Sequence, residues 1–435
     1  MAGGKGIRLR KLEINENSRL IPKPMVKVCR IPILEREIDV LKRQGFTDII
    51  ITVGYLANEI EEYFGDGNCN SPATGLPFGV HIEYYREVEP LGNAGALLRL
   101  KEQLKGDFLL LNGDLAFDID INRLIDYHFK KDSLATIFTH PNNHPYDSGL
   151  ILTDCENRVV KWIAKEDIRP IWYKNRVNAG IHVISSAVLE GNTGKNIDLD
   201  RDILKPMSGK GKLFAYDSPE YVKDMGTLDR FNEVEADIQS GLPKRKNLSC
   251  KQKAIFIDRD GTINKYVGFL TKISDFELIE GVAEAIRKIN KAGWLAIVVT
   301  NQPVIARGEL TMTQLTEIHN KMETLLGNNG AYLDGIYFCP HHPDSGYEGE
   351  ITNLKIECDC RKPKPGMLLK AARDFNIDLG SSWIVGDGEN DILAGINAHC
   401  HTCRVNADDS QLYNGSVIAD ISAKNLMEFI DKLGL

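Results

Sequence analysis

Two hydrophobic rhythms alternate along the chain. Short β-branched runs, TDIIITVGY (47–55), VHIEYY (80–85), DFLLLNGD (107–114) and LATIFTH (134–140), have the length and composition of strands. Between them lie segments with apolar residues three and four apart, such as ILEREIDVLKRQG (33–45), a predicted helix stopped by Gly45. Periodicity disappears over SGLPKRKNLSCKQK (240–253), where Gly, Pro, Ser and Lys dominate, and the reading there is a linker. A second series follows: strand KAIFID, helix GVAEAIRKINKAG, strand WLAIVVTN, a helix with Leu315, Ile318, Met322 and Leu325 on one face, then LDGIYF and WIVGD. The pattern predicts an α/β chain of two doubly wound, mainly parallel domains, 1–240 and 252–435, joined by a linker at 241–251. Chemistry belongs just after the strands, where such sheets bind ligands.

At 435 residues, two domains each have room for a core. A net charge of -8 argues against nucleic acid, whose phosphates demand a basic face, and leaves small-molecule substrates. No apolar run is long enough for a membrane span or a signal peptide, so the expectation is a cytoplasmic protein with no membrane partner. Nine cysteines in that setting read as thiols or metal ligands rather than a disulfide framework. The oligomeric state stays open.

In IFIDRDGTIN an apolar strand ends in Asp258 and Asp260, and strand alternation puts residues two apart on one face. A bare DxD is as readily a polar turn. Three later signals change that: Thr300 and Asn301 follow a second strand, Lys362 in CRKPKPGM precedes a helix, and Asp387 and Asp391 in VGDGEND follow a third strand. CPHHP (339–343) and CDC (358–360) supply a CxH and a CxC pair around a 16-residue stretch, a donor set that suits a structural Zn²⁺ on Cys339, His341, Cys358 and Cys360, with His342 open as a substitute for His341. CHTC (400–403) reads as packing.

In this order the motifs resemble the four motifs of the haloacid dehalogenase superfamily. The resemblance implies Asp258 as nucleophile, Asp260 as general acid and base, and Thr300, Asn301 and Lys362 on the transferring oxygens. It also implies Mg²⁺ at Asp258, Asp387 and the backbone beside Asp260. DRDGTIN, TNQ, IARG, CPHHP and CDCRKPKPGM together are similar to the heptose 1,7-bisphosphate phosphatases, with the histidinol-phosphate phosphatases as the alternative. Arg361 then faces the sugar phosphate. Pro303 and Val304 stand where that family carries small residues.

The first half opens on AGGKGIRLR (2–10), a glycine-rich basic stretch of the kind that cradles phosphates, although it is neither a Walker A loop nor a GxGxxG. With IPKPMVKV, EPLGNAGALL, LLLNGDL, NAGIHVIS and YVKDMGTLDR it resembles the sugar-1-phosphate nucleotidyltransferases, whose sheets are GT-A-like. The resemblance implies Gly3, Gly4 and Gly6 around the triphosphate, Arg8 and Lys23 on its charge, and Gly92 at the base. It places Mg²⁺ at Asp114 and Asp224, and Gly149, Lys165 and Asn178 at the sugar phosphate. NNHPYDSGL, the stretch 162–185 and DLDRDILKPM look like the heptose 1-phosphate guanylyltransferases, implying GTP. The family's first strand is missing before AGG and Ile7 replaces its Thr, so the expectation is a weakened transferase, a start further upstream, or a non-catalytic first half that binds sugar nucleotide.

Overall fold

The structure, a computed structural model, describes residues 21–87, 91–191, 196–406 and 417–435. The chain separates into two compact units: one from Met1–Thr139, Ile151–Trp162 and Asn178–Asn247, the other from His140–Leu150, Ile163–Val177 and Leu248–Leu435. Among the described residues no helix is long and apolar enough to cross a membrane.

The second unit carries a six-stranded parallel sheet in the order Gly335–Cys339, Leu295–Asn301, Ala254–Ile257, Trp383–Gly386, His401–Val405 and Ile421–Ala423. Its central strand Ala254–Ile257 is buried throughout. Alternation divides that strand between two cores: Ile255 and Ile257 join one hydrophobic cluster, Ala254 and Phe256 the other. Helices Val282–Ala292, Met312–Asn328, Gly366–Phe375, Glu389–Asn397 and Leu426–Leu433 connect or follow the strands. Met312–Asn328 starts on a capping box, in which Thr311 Oγ1 accepts from Gln314 N and the Gln314 side chain accepts from Thr311 N. The chain builds one side of the sheet outward from Ala254–Ile257, then returns to build the other, so the topological switch lies at the end of this strand. Cys400 and Cys403 are buried in opposite cores.

The first unit is mixed. Asp48–Val53 runs parallel to His81–Arg86, and Leu213–Asp217 parallel to Ala135–His140. Asp107–Leu111 is antiparallel to Val177–Ser185, and Tyr221–Asp224 to Leu115–Asp118. Helix Ile33–Arg43 buries Ile33, Leu34, Ile38 and Leu41, the face its spacing predicts. Within the stretch 241–251, Gly241 at φ 72° stops helix Leu228–Ser240, and Leu242–Lys246 then forms a short helix with Leu242 and Lys246 buried.

Two stretches from the first half of the sequence, 140–150 and 163–177, pack in the second unit. Arg176 Nη1 lies 3.1 Å from Glu323 Oε1 on helix Met312–Asn328, with 4% and 2% of the two side chains exposed. Glu323 also accepts from Asn175 N at 3.0 Å, and Tyr173 N donates to Thr324 Oγ1 at 2.9 Å. A Cβ on Gly327 would stand 2.7 Å from Pro145, so only glycine admits that approach. A division drawn along the sequence cannot show such excursions, because they are fixed by contacts nearly 150 positions away. Removing one member of a buried ion pair strands the other charge, so Glu323→Ala should lower unfolding stability by about 3–5 kcal/mol. Urea denaturation of the full chain followed by tryptophan fluorescence checks this, and a loss below about 1 kcal/mol, typical of an exposed pair, would contradict it.

Candidate functional site

At the switch point the strand stops at Ile257, and Asp258 is the first residue beyond it. Its backbone N donates to Val385 O of the neighbouring strand at 2.9 Å, which holds the loop against Trp383–Gly386. Lys362 reaches into the same place with 3% of its side chain exposed, its ammonium 2.6 Å from Asp258 Oδ1 and 2.5 Å from Asp391 Oδ1. The same ammonium donates to Val299 O at 2.8 Å. Burial disfavours the Lys362 charge, but the two carboxylates outweigh it and hold the ammonium above the usual lysine range. Burial raises the Asp258 carboxyl, as do Asp391 and Asp260, and Lys362 pulls against them.

Asp258, Asp387 and Asp391 can each offer an oxygen within 4.8 Å of the others. Burial and Asp391 raise the Asp387 carboxyl as well. Three carboxylates around one ammonium leave negative charge uncompensated, and an all-oxygen donor set of this kind fits a hard divalent cation such as Mg²⁺. Gly261, at φ 82°, is required here because a Cβ would come within 2.2 Å of Asp387 Oδ2.

The side chain of Asp260 lies outside that group of three, and the resemblance had put the backbone beside it, with Asp258 and Asp387, at the Mg²⁺. Strand alternation no longer governs Asp260, because the chain turns after Ile257 and Gly261 N closes the loop onto Asn264 O at 2.9 Å. Its oxygens accept from Arg259, from Asn264 Nδ2 at 3.1 Å and from Gln302 Nε2 at 2.9 Å. Gln302 also donates to Thr300 Oγ1 at 3.0 Å. Asn301 is tied to the backbone of Lys362 in both directions, each at 3.0 Å, so its amide positions the lysine. Sequence reasoning missed Gln302 and Arg259; their only signal was adjacency to the residues it named. Val304 is a core residue, 2% exposed.

Cys339 ends the edge strand Gly335–Cys339, and its sulfur lies 3.5 Å from Cys358 Sγ and 3.7 Å from His341 Nδ1. Cys360 Sγ is 3.3 Å from both Cys358 Sγ and His341 Nδ1. Four donors around a Zn²⁺ with Zn–S of about 2.3 Å stand about 3.7 Å apart, so this set fits a closed tetrahedral site. Burial pushes the Cys339 and Cys360 thiols up, so thiolates there call for a cation. His342 is turned elsewhere, its Nδ1 accepting from Asp344 N at 3.2 Å. Arg361 donates to His341 O at 3.4 Å, at the rim of this loop.

In the first unit, Lys23 on the turn Lys23–Met25 forms an ion pair with Asp114, which follows strand Asp107–Leu111. Asp224, at the end of Tyr221–Asp224, accepts from Gly226 N at 2.8 Å and from Arg230 Nη1 at 2.8 and 3.0 Å. Burial raises its carboxyl, but Gly226, Arg230 and Lys23 outweigh this and lower it. Asn178 Nδ2 donates to Asp200 at 3.2 Å, and burial raises that carboxyl to about 6. Asp200 carried no signal beyond its place in DLDRD. Gly92, at φ 80°, has a packing reason of its own: a Cβ would stand 2.3 Å from Ile197 O. Gly149 is half-buried and Lys165 exposed, and both belong to the second unit, whereas Asn178 belongs to the first. Gly3, Gly4, Gly6, Ile7 and Arg8 lie outside the described residues.

Known proteins match both halves. The nucleotidyl transferase family matches residues 1–241, more than half of the chain, and the HAD-hydrolase-like family matches 359–414. The D-glycero-beta-D-manno-heptose-1,7-bisphosphate 7-phosphatase of Yersinia pestis is 44% identical over 149 residues, 34% of this chain and 77% of its own. The crystal structure of D,D-heptose 1,7-bisphosphate phosphatase from B. bronchiseptica, complexed with magnesium and phosphate, is 31% identical. It covers 42% of this chain and 98% of its own, with a TM-score of 0.37. HddC from Yersinia pseudotuberculosis shares 24% identity over 55% of this chain and 96% of its own, with a TM-score of 0.44. Through its first half the chain belongs to the nucleotidyl transferase family and through its second to the HAD-like heptose-1,7-bisphosphate 7-phosphatases, and it is an enzyme of both kinds.

Proposed function

We propose that the chain carries out two consecutive steps on one sugar: removal of the 7-phosphate of D-glycero-D-manno-heptose 1,7-bisphosphate, then transfer of GMP from GTP to the heptose 1-phosphate that results. The observation that carries the first step is Asp258 at the end of the central strand, paired with a buried lysine, in a half 44% identical to such phosphatases. The second step rests on the family of the first half and on Lys23, Asp114 and Asp224 after its strands.

In the phosphatase reaction an Asp258 oxygen attacks the phosphorus of the 7-phosphate, and the bond from phosphorus to the sugar oxygen breaks. Asp260 gives its proton to that oxygen as it leaves. Splitting hydrolysis at an aspartyl phosphate replaces one difficult step by two easier ones. Water then attacks the phosphorus of the aspartyl phosphate, Asp260 takes the water's proton, and inorganic phosphate leaves with Asp258 restored. Lys362 holds Asp258 in place and, with Thr300, faces the negative oxygens of the transferring group. Mg²⁺, which Asp258 and Asp387 would hold, neutralises the charge by which a phosphate repels a carboxylate. Arg361 binds the sugar phosphate, and Zn²⁺ on Cys339, His341, Cys358 and Cys360 shapes the loop that carries it.

The transferase half needs no general base, because the attacking sugar phosphate is already an anion. Its residues have to align two anions that repel each other. Arg8 and Lys23 take the triphosphate, with Gly3, Gly4 and Gly6 in the phosphate loop and Gly92 beside the base. Asp114 and Asp224 would hold Mg²⁺, and Asn178 takes the sugar phosphate.

Phosphate release from both heptose 1,7-bisphosphate anomers and from histidinol phosphate tests the first step, and pyrophosphate release across the nucleoside triphosphates tests the second. The expected order is a heptose bisphosphate first and GTP first. Turnover of histidinol phosphate alone would overturn the phosphatase assignment, and absence of pyrophosphate release with every triphosphate would favour a first half that only binds sugar nucleotide. Asp258→Asn should reduce phosphate release on the order of a thousandfold or more while leaving nucleotidyl transfer unchanged. One zinc per chain should co-purify with the protein, and Cys358→Ser should lower zinc content and melting temperature together. Metal analysis finding no zinc in freshly purified protein would refute that site.

A further inference from the structure

Arg259 is the largest fully buried side chain among the described residues, with 0% exposed, and it stands between the two aspartates of the phosphatase loop. Its guanidinium spends three contacts on Asp260: Nε to Oδ1 at 3.2 Å, Nη2 to Oδ1 at 3.0 Å and Nη2 to Oδ2 at 2.8 Å. The remaining arm, Nη1, lies 3.3 Å from Nε2 of His319 on helix Met312–Asn328. His319 is itself 7% exposed and packs on Phe338 with ring centroids 5.7 Å apart. Burial, helped by the Arg259 charge, holds His319 well below the usual histidine range, so its ring is neutral and Nε2 accepts from the guanidinium.

The loop needs such a hold. Asp260 lies beyond the strand, so the sheet cannot aim its side chain, and the loop's backbone bonds, Ile263 N and Asn264 N to Arg259 O at 2.8 and 3.1 Å, fix the turn without fixing the carboxylate. Asn264 and Gln302 each bond one oxygen of Asp260; the guanidinium fork engages both. Burying a guanidinium is costly unless its donors are met, and here they are met by Asp260 and His319.

We propose that Arg259, braced by His319 from the helix behind it, is the positioning residue that aims Asp260 at the ester oxygen where the proton is given and at the water where it is taken. The proposal rests on the phosphatase reading above and adds two residues to it. An acid that is badly aimed costs most where the leaving group needs a proton. The sugar oxygen of a heptose bisphosphate leaves as an alkoxide unless protonated, whereas the phenolate of p-nitrophenyl phosphate leaves without a proton. Nucleophilic attack by Asp258 is common to both, and so is hydrolysis of the aspartyl phosphate, where Asp260 acts on water; kcat/KM reports only the steps through formation of that intermediate, in which Asp260 is the acid.

The test therefore compares the two substrates with the full chain. Arg259→Lys keeps the charge and loses the fork; it should lower kcat/KM on the heptose bisphosphate about a hundredfold and on p-nitrophenyl phosphate no more than about threefold. His319→Phe fills the space but accepts nothing, and should show the same selectivity at about tenfold; His319→Gln restores an acceptor and should return to within about twofold of wild type. Zinc content and melting temperature report whether each variant is folded, and if Arg259→Lys fails that check the His319 pair decides. Equal losses of kcat/KM on both substrates would mean that Arg259 and His319 serve only the fold, and unchanged kcat/KM on the bisphosphate would mean that Asn264 and Gln302 suffice; either overturns the proposal. A wild-type chain that hydrolyses the aryl phosphate but no heptose bisphosphate would sink the substrate reading instead. The same comparison then runs against an alkyl phosphate it accepts, with the same two outcomes.

Discussion

The buried ammonium of Lys362 between Asp258 and Asp391 is the constraint around which the second unit is organised. A charge with 3% of its side chain exposed persists only where its partners are fixed. Asp258 comes from the end of the central strand, Asp391 from the first turn of helix Glu389–Asn397, and the lysine from the loop before helix Gly366–Phe375. Three separate segments thus converge on one point, and each is held there by the parallel sheet. Asn301 secures the lysine's backbone from a fourth segment.

That arrangement suits a divalent cation because the carboxylates outnumber the lysine. Burial and mutual repulsion raise the carboxyl groups of Asp258 and Asp387, while the lysine is held charged. The strain is electrostatic, and it is relieved by the ligand that the proposed chemistry requires. The Asp260 side chain is held beside this cluster by its own set of donors, Arg259 and Gln302 among them.

The Cys339, His341, Cys358 and Cys360 cluster shows the same logic with softer donors. Cys339 is fixed by the edge strand, and the other three ligands come from loop, so the sulfur and nitrogen atoms gather without help from regular structure. The loop also carries Arg361 and leads straight into Lys362. An ion held there would tie a long, irregular stretch to the lysine on which the carboxylates depend.

The sequence by itself determined the elements and the donor types. The alternation in KAIFID and WLAIVVTN named the buried strands, the residues after them named Asp258, Thr300 and Asp387, and the cysteine spacing named the four side chains that gather into one cluster. These are local signals, because strand periodicity and short-range metal pairs are written within a few positions. Tertiary structure alone decided the rest. The side chain of Asp260 is held by Arg259, Asn264 and Gln302 beyond the turn after Ile257, Asn301 bonds the backbone of Lys362, and Asp391 joins the carboxylates through the first turn of a helix. Arg176 found Glu323, and Arg259 found His319, across separations of 147 and 60 positions. No spacing rule reaches so far: which buried polar group meets which is settled only when the elements pack and every donor must find an acceptor.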